Sequence, residues 1–304
     1  MVESESAAPT RCAMVALLGA PNAGKSTLVN AIVGQKVAIV SSRVQTTRVR
    51  LMAVAVEGAA QLVMVDTPGV FSPRRRLDRA MVKGAWDGAA DSDILLAMVD
   101  AKAGLRDDVR ALLAGLAGRT TPCWLVLNKV DVAPRATLLE TTAEANALHP
   151  FSETFMISAL TGDGVADLRS ALAKAAPEGP WLFPEDQLTD APARMLAAEL
   201  VREQLFQQMG QELPYAAAVH TEKFEERADG SAVIHAQIYI DRESQKAMVV
   251  GAGGRRIKAI GEGARLELET MLGRRVHLYC HVKVKPGWAE DRSVWRDLGM
   301  DWVD

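Results

Sequence analysis

The sequence predicts an α/β domain with a mostly parallel sheet, followed by a smaller α+β domain. Three observations carry that prediction. Short apolar runs alternate with amphipathic stretches from Cys12 to about Lys174, the pattern of a parallel sheet covered by helices on both faces. A stretch with four prolines, APEGPWLFPEDQLTDAP, interrupts the rhythm over residues 176–192. Beyond it come a helix, two alternating strands, a glycine-rich loop opening a second helical pattern, and one more strand. The expected organisation is a tail over 1–11, a first domain over 12–176, a linker over 177–192 and a second domain over 193–304.

A chain of 304 residues has room for two such cores. Its 49% hydrophobic and 24% charged residues are ordinary for a soluble globular protein. Cys12, Cys123 and Cys280 are scattered, which argues against a disulfide framework or a zinc site and fits a reducing cytosol. The opening MVESESAAPT lacks the basic and apolar regions of a signal peptide. No apolar run reaches the roughly 18 residues of a spanning helix. The net charge of −3 conceals an asymmetry: residues 242–285 hold ten Lys/Arg against four Asp/Glu, an excess of six that leaves the remainder at −9. That excess surrounds the glycine loop, so a polyanionic partner enters consideration there.

In the first domain CAMVALLG, QLVMVDT, DILLAMVDA, CWLVLNK and ETFMISA read as buried strands. GKSTLVNAIVG, VRALLAGLAG and VADLRSALAKA read as helices between them. GAPNAGKS, comprising Gly19, Ala20, Pro21, Asn22, Ala23, Gly24, Lys25 and Ser26, follows the first strand and opens a helix. Its backbone N–H groups can ring phosphates at the helix N-terminus. Lys25 would reach the β and γ phosphates, Ser26 would hold Mg²⁺, and Thr27 completes the phosphate set.

The base is decided by NKVD, where Asp131 can accept the N1–H and exocyclic amine of guanine together. Adenine would leave that carboxylate unpaired, at a cost of about 1–3 kcal/mol. Asn128 can contact the other edge of the base, and the Lys129 stem can lie over its face. DTPG, from Asp66 through Thr67 and Pro68 to Gly69, closes the strand QLVMVDT; Asp66 would bind Mg²⁺ and the Gly69 N–H the γ-phosphate. QTTR, namely Gln45, Thr46, Thr47 and Arg48, lies in a polar loop where one threonine could close on Mg²⁺, Thr47 before Thr46. ISA ends the last strand, with the amides of Ser158 and Ala159 available to the guanine oxygen.

Those five segments, in that order, resemble the G1 to G5 motifs of the GTPase superfamily. The resemblance implies a P-loop fold with GTP and GDP as ligands. The PNAGKS wording is similar to the TrmE–Era branch, which implies a potassium ion held by Asn22. Val70 stands after DTPG where Ras-like relatives carry a water-orienting glutamine, so hydrolysis needs another group, a cation or a partner. Arg74, Arg75 and Arg76 invite comparison with an arginine finger, but three in a row on a loop read first as solvated.

ARMLAAELVREQLFQQMG reads as an amphipathic helix. PYAAAVHTEKFEER and SAVIHAQIYIDR form strands joined around Asp229-Gly230, and RRVHLYCHVKVKP a third strand. The glycine loop fails the dinucleotide pattern, because Arg256 stands where its last glycine should be. The spacing from Gly251 to Gly254 instead fits G-x-x-G between two short helices, with Ala252 and Gly253 at its variable positions. Arg255, Arg256 and Lys258 remain available to phosphates. In the order α-β-β-α-α-β this resembles a type II KH domain, which implies a grip on single-stranded RNA.

The two halves together are similar to the Era family of bacterial ribosome-assembly GTPases. PEDQLTD, ELPY at Glu212–Tyr215 and VKVKPGW at Val282–Trp288 share that family's wording. The resemblance implies a cytoplasmic monomer, with some peripheral association at the inner face of the membrane. It implies binding near the 3′ end of 16S rRNA in maturation of the 30S subunit, with GTP state gating the KH domain. Two alternatives are an RNA-modifying GTPase, which needs a catalytic cysteine or cofactor site, and a membrane-linked signalling GTPase that docks a protein.

Overall fold

The computed structural model describes residues 9–40, 47–209 and 216–303. Two compact units partition the chain: residues 1–38, 50–72 and 81–190 in the first, and 39–49, 73–80 and 191–304 in the second.

The first unit is a six-stranded sheet in the order β2-β3-β1-β4-β5-β6. Its parallel strands are β1 (Arg11–Gly19), β3 (Ala60–Asp66), β4 (Ile94–Asp100), β5 (Cys123–Asn128) and β6 (Glu153–Ile157). These are the five runs read from the sequence. Four of them are continuous apolar segments because helices cover both faces of the sheet and leave no solvated side to alternate with. The sixth, β2 (Leu51–Glu57), runs antiparallel to β3 at the sheet edge. LMAVAVE escapes the sequence reading because the polar segment before it carries no helix pattern to frame a strand.

Helices α1 (Lys25–Val33), α3 (Asp107–Gly115) and α5 (Val165–Ala175) bury one stripe each, as Val165, Leu168 and Leu172 do on α5. Two further helices, α2 (Arg76–Ala90) and α4 (Arg135–Leu148), are additions to the sequence reading.

Residues 177–190 lie along the sheet. Gln61, wholly buried, accepts from the amides of Leu182 and Phe183 at 2.9 and 3.0 Å and donates to the Phe183 carbonyl at 2.8 Å. The amide of Val54 donates to Leu188, and Thr189 forms a bridge with Ala53 on the outer edge of β2. This strap occupies an edge whose backbone groups would otherwise face solvent.

The second unit has the order α6 (Ala193–Gln208), β7 (Ala217–Glu226), β8 (Ala232–Ile240), α7 (Glu243–Val250), α8 (Arg255–Leu272) and β9 (Val276–Val284), followed by α9 (Arg292–Asp297). β8 sits between an antiparallel β7 and a parallel β9. Ile234, Ala236, Ile238 and Ile240 from β8 meet Leu200, Val201 and Leu205 of α6 and Ile260, Ala264 and Leu268 of α8 in one core. Gly230, at φ 81°, supplies the left-handed residue of the β7–β8 turn.

Candidate nucleotide and RNA sites

The phosphate loop leaves the carboxyl end of β1, between β3 and β4, where ligands of open parallel sheets bind. Among the described residues only Asn22 and Lys129 adopt positive φ without being glycine, at 65° and 66°. Both belong to nucleotide motifs, and such backbone persists where the surroundings enforce it. Gly24, at φ 95°, is also closed by its neighbour, since a Cβ there would lie 2.1 Å from Asn128 Nδ2. A Cβ on Gly69 would lie 2.8 Å from the Pro21 nitrogen, while the amide of Val70 donates to the Gly19 carbonyl at 3.0 Å. The DTPG turn therefore rests directly on the phosphate loop. Thr67 secures its start by donating to the Leu17 carbonyl at 2.5 Å.

Asn128, at the end of β5, is 2% exposed and bridges two loops. Its Nδ2 donates to the Ala23 carbonyl at 2.8 Å and its Oδ1 accepts from the Ala159 amide at 2.9 Å. The guanine-motif asparagine thus fixes the phosphate loop to the ISA turn. Ser158 is wholly buried, and its hydroxyl accepts from the Thr161 amide at 3.2 Å. Asp131 is exposed in the 3-10 turn Val130–Val132, open to a base.

Lys129 has a partner that the sequence reading lacks. Its ammonium meets Asp100 at 2.6 Å, and Asp100 also accepts from the amides of Lys102 and Ala103. The signal available was an aspartate ending the apolar run DILLAMVD: parallel strands bring their carboxyl ends together, so such a residue faces the same crevice.

Lys25 is 6% exposed and donates to the carbonyls of Gly19 and Ala20 at 3.1 and 3.2 Å. Burial pushes its ammonium down to about 8, against the opposing pull of Asp66. Phosphate oxygens would restore the preference for charge. The Ser26 hydroxyl donates to Asp66 at 2.7 Å, and Asp66 is 1% exposed. Two hard oxygen donors held together beside the phosphate loop suit Mg²⁺. Thr47 belongs to the second unit, with Ser26 and Asp66 in the first. Gln45 and Thr46 lie outside the described residues, as does ELPY.

Arg48 and Arg76 are neither loop ornaments nor free cations. Both belong to the second unit. Arg48 is 7% exposed, donates to the Ala217 carbonyl at 2.9 Å and sits 5.8 Å from the Trp288 ring centroid. Arg76 pairs with Glu290 at 3.0 Å, donates to the Val303 carbonyl at 3.1 Å and covers the Trp302 ring at 4.4 Å. Arg74 and Arg75 are exposed, as a solvated run should be, and Arg76 departs from that reading because an aromatic face and a carboxylate receive it.

In the same unit the glycine loop joins α7 to α8. Gly251, Gly253 and Gly254 have φ of 71°, 61° and 76°. A Cβ on Gly251 would lie 2.8 Å from the Arg256 Cβ, whereas Gly253 and Gly254 have open space around them. Ala252, Gly253, Arg255, Arg256 and Lys258 are exposed. Arg256 donates to the Met248 carbonyl at 2.5 Å and Arg255 to the Ala252 carbonyl at 3.3 Å. The loop offers a surface without side chains, rimmed by cations at a helix N-terminus, to which a phosphodiester backbone can come close.

Comparison with known proteins agrees with both halves. Residues 14–129 match the family model described as 50S ribosome-binding GTPase, and residues 212–289 match the KH domain. GTPase Era of Dinoroseobacter shibae is 53% identical over 304 residues, covering 99% of each chain. The chain belongs to the Era family of GTPases. Era of Rhizobium meliloti is also 53% identical, over 97% of this chain and 94% of that one. Among solved structures, Era in complex with MgGDPNP and nucleotides 1506–1542 of 16S ribosomal RNA superposes with a TM-score of 0.90 at 37% identity, covering 95% of this chain and 99% of that one. A single-residue variant of Aquifex aeolicus Era bound to GDP·AlF4⁻ matches with the same score, identity and coverage. The order α-β-β-α-α-β expected of the second domain is therefore that of an Era KH domain. Among the described residues no helix is long and apolar enough to cross a membrane.

Proposed function

We propose that this chain is a GTP-switched assembly factor that holds the 3′ region of 16S rRNA through its KH loop and lets go as GTP is hydrolysed. The observation that carries the switch is the fate of two segments. Residues 39–40 and 47–49 follow the phosphate loop and its helix in the chain, and 73–80 follow DTPG; both sets are folded into the unit that bears the glycine loop. Arg48 anchors one and Arg76 the other. Movement of either segment toward a γ-phosphate would have to break those anchors, so nucleotide state and the KH unit bias one equilibrium. The RNA assignment is supported by the relative that holds both a GTP analogue and a 16S fragment.

In this reading the amides of Gly19–Ser26, with Thr27 behind them, cradle the phosphates and Lys25 pairs with them. Asp131 and Asn128 select guanine, aided by the Ser158 and Ala159 amides. Ser26, Asp66 and Thr47 would hold Mg²⁺, which neutralises charge on the β and γ oxygens when bound. Val70 is 7% exposed in an apolar cluster, so no side chain there orients water. Asn22, exposed and held at positive φ, is the candidate to place a potassium ion beside the phosphates. Replacing potassium by sodium should slow hydrolysis by wild type and leave Asn22→Ala unchanged; equal rates for wild type in both salts would remove potassium from the account.

The switch itself is tested by RNA affinity with GDP and with a GTP analogue. Arg48→Ala and Arg76→Ala should narrow the difference between the two states. Wild-type affinity that ignores the nucleotide would refute the coupling. An RNA-modifying role gains nothing from Cys280, whose thiol is pushed up to about 12 by burial and is a poor nucleophile.

A further inference from the structure

The KH unit carries a second patch suited to RNA, on the sheet face opposite α6 and α8. The β8–β9 register sets Val276, Leu278, Cys280 and Val282 beside Ala232, Ile234, Ala236 and Ile238, an apolar grid that packs on α6 and α8. Alternation then sends His277, Tyr279, His281 and Lys283 to the other side, beside Val233, His235, Gln237 and Tyr239. β7 adds Lys223 and His220 to that face, paired with His235 and Gln237. Four of the chain's five histidines and two of its three tyrosines therefore share one face of three short strands.

The rings are organised. His235 stacks on Tyr279 at 5.0 Å and 26°, and on His281 at 5.7 Å and 6°. His220 stacks on Tyr239 at 5.2 Å and 6°, but Tyr239 is only 8% exposed. The three-ring group is open instead: Tyr279 is 48% exposed and His281 is exposed. Flat, pre-stacked rings on a sheet are the surface on which unpaired bases stack in other RNA-binding folds.

Two observations select RNA as the occupant. The first is charge. Lys283 lies on the face and Arg275 just before β9, on the side of the open rings, whereas Lys223 and Arg274 are taken up by Glu225 at 2.7 Å and Glu226 at 2.6 Å, and the carboxylates Glu222 and Asp297 stand toward His220 and Tyr239. The second is continuity with the clamp. β9 is the outer strand of its sheet, and Cys280, between Tyr279 and His281 in the chain, faces α8 where a Cβ on Gly261 would lie 3.6 Å from its sulfur. Gly261 is six residues along α8 from Arg255, about 9 Å at 1.5 Å per residue. The clamp and the rings thus flank the same edge strand.

We propose that the face built on His235, Tyr279 and His281 is a second single-stranded RNA surface, which stacks bases of nucleotides flanking those held at Gly251–Gly254. A KH clamp spans about four nucleotides, and the fragment bound to the solved relative runs from 1506 to 1542. The inference rests on the KH reading above, and its test separates the two.

Affinity of the full chain, loaded with Mg²⁺ and a GTP analogue, is measured for the 1506–1542 fragment of 16S rRNA by fluorescence anisotropy. The double variant Tyr279→Ala, His281→Ala should bind about tenfold more weakly, the loss expected when base stacking is removed. Tyr279→Phe, His281→Phe keeps flat rings and should stay within about twofold of wild type. Wild-type affinity in the alanine variant overturns the proposal, and so does equal loss in both variants. Unchanged RNA affinity with lost retention on small ribosomal subunits also overturns it, in favour of a protein partner. If Arg255→Ala, Arg256→Ala leaves affinity untouched, the KH clamp reading fails on its own account.

Discussion

Asn128→Ala should lower both stability and nucleotide affinity, and the geometry gives the size of the first effect. The side chain is 2% exposed and joins the Ala23 carbonyl to the Ala159 amide. Ala23 and Ala159 are 2% and 5% exposed, so water cannot easily replace the lost partner at either end. Leaving two buried backbone groups unsatisfied at about 1–3 kcal/mol each gives a loss of about 2–6 kcal/mol. For a unit of this size 1 kcal/mol moves the midpoint by about 2–4 °C, so the nucleotide-free protein should melt at least ~4 °C lower. GDP affinity should fall too, because the phosphate loop and the ISA turn lose their common tie. Asp131→Asn is the control. Asp131 is exposed, so the change should stay within about 0.5 kcal/mol in stability. It should nevertheless shift preference from guanine toward xanthine nucleotides, whose ring offers the complementary pattern. Melting curves without nucleotide, paired with GDP and XDP titrations, separate the roles. An Asn128→Ala protein that melts with wild type, or an Asp131→Asn protein equally destabilised, refutes the reasoning.

Other outcomes follow from the same geometry. Lys25 has a folded value of about 8 against 10.5 ordinarily, so below pH 8 its buried charge costs stability. The unfolded chain holds the extra proton between those values, so stability should rise from about pH 8 to 10.5, by about 3 kcal/mol. Denaturant midpoints of nucleotide-free wild type should show that rise relative to Lys25→Met, and parallel pH profiles would contradict the burial argument. Gly251→Ala combines φ 71° with a 2.8 Å approach to the Arg256 Cβ, whereas Gly253→Ala meets nothing within 4 Å. The first should cost about 1–3 kcal/mol and weaken RNA binding more than the second; equal effects in melting and binding assays would remove the special role of the first glycine.

Much of the nucleotide site is legible because its chemistry is local. GAPNAGKS, DTPG and NKVD each place their donors through a few consecutive residues at a strand end, and the flanking apolar runs say which strand. The glycine loop is legible for the same reason, down to the rejection of a dinucleotide fold on Arg256. Asp100 is not, because its pairing with Lys129 depends on β4 and β5 being neighbours, and adjacency is a property of the sheet. Arg76 reads as solvated in the sequence for a similar reason: its partners, Glu290, Trp302 and Val303, lie more than two hundred residues away.

The sequence by itself determined the two domains, the identity of the base and the glycine loop proposed here to meet RNA, since backbone dihedrals and hydrogen-bond patterns of short segments suffice for each. Tertiary structure alone decided that β2 and residues 177–190 close one edge of the first sheet. It also decided that the segments carrying Arg48 and Arg76 fold with the KH unit, and that His235, Tyr279 and His281 form one stack. The physical reason is register: a one-residue slip of β9 against β8 would turn Tyr279 and His281 into the core, away from His235, and only packing of the inner apolar grid on α6 and α8 fixes which way they face.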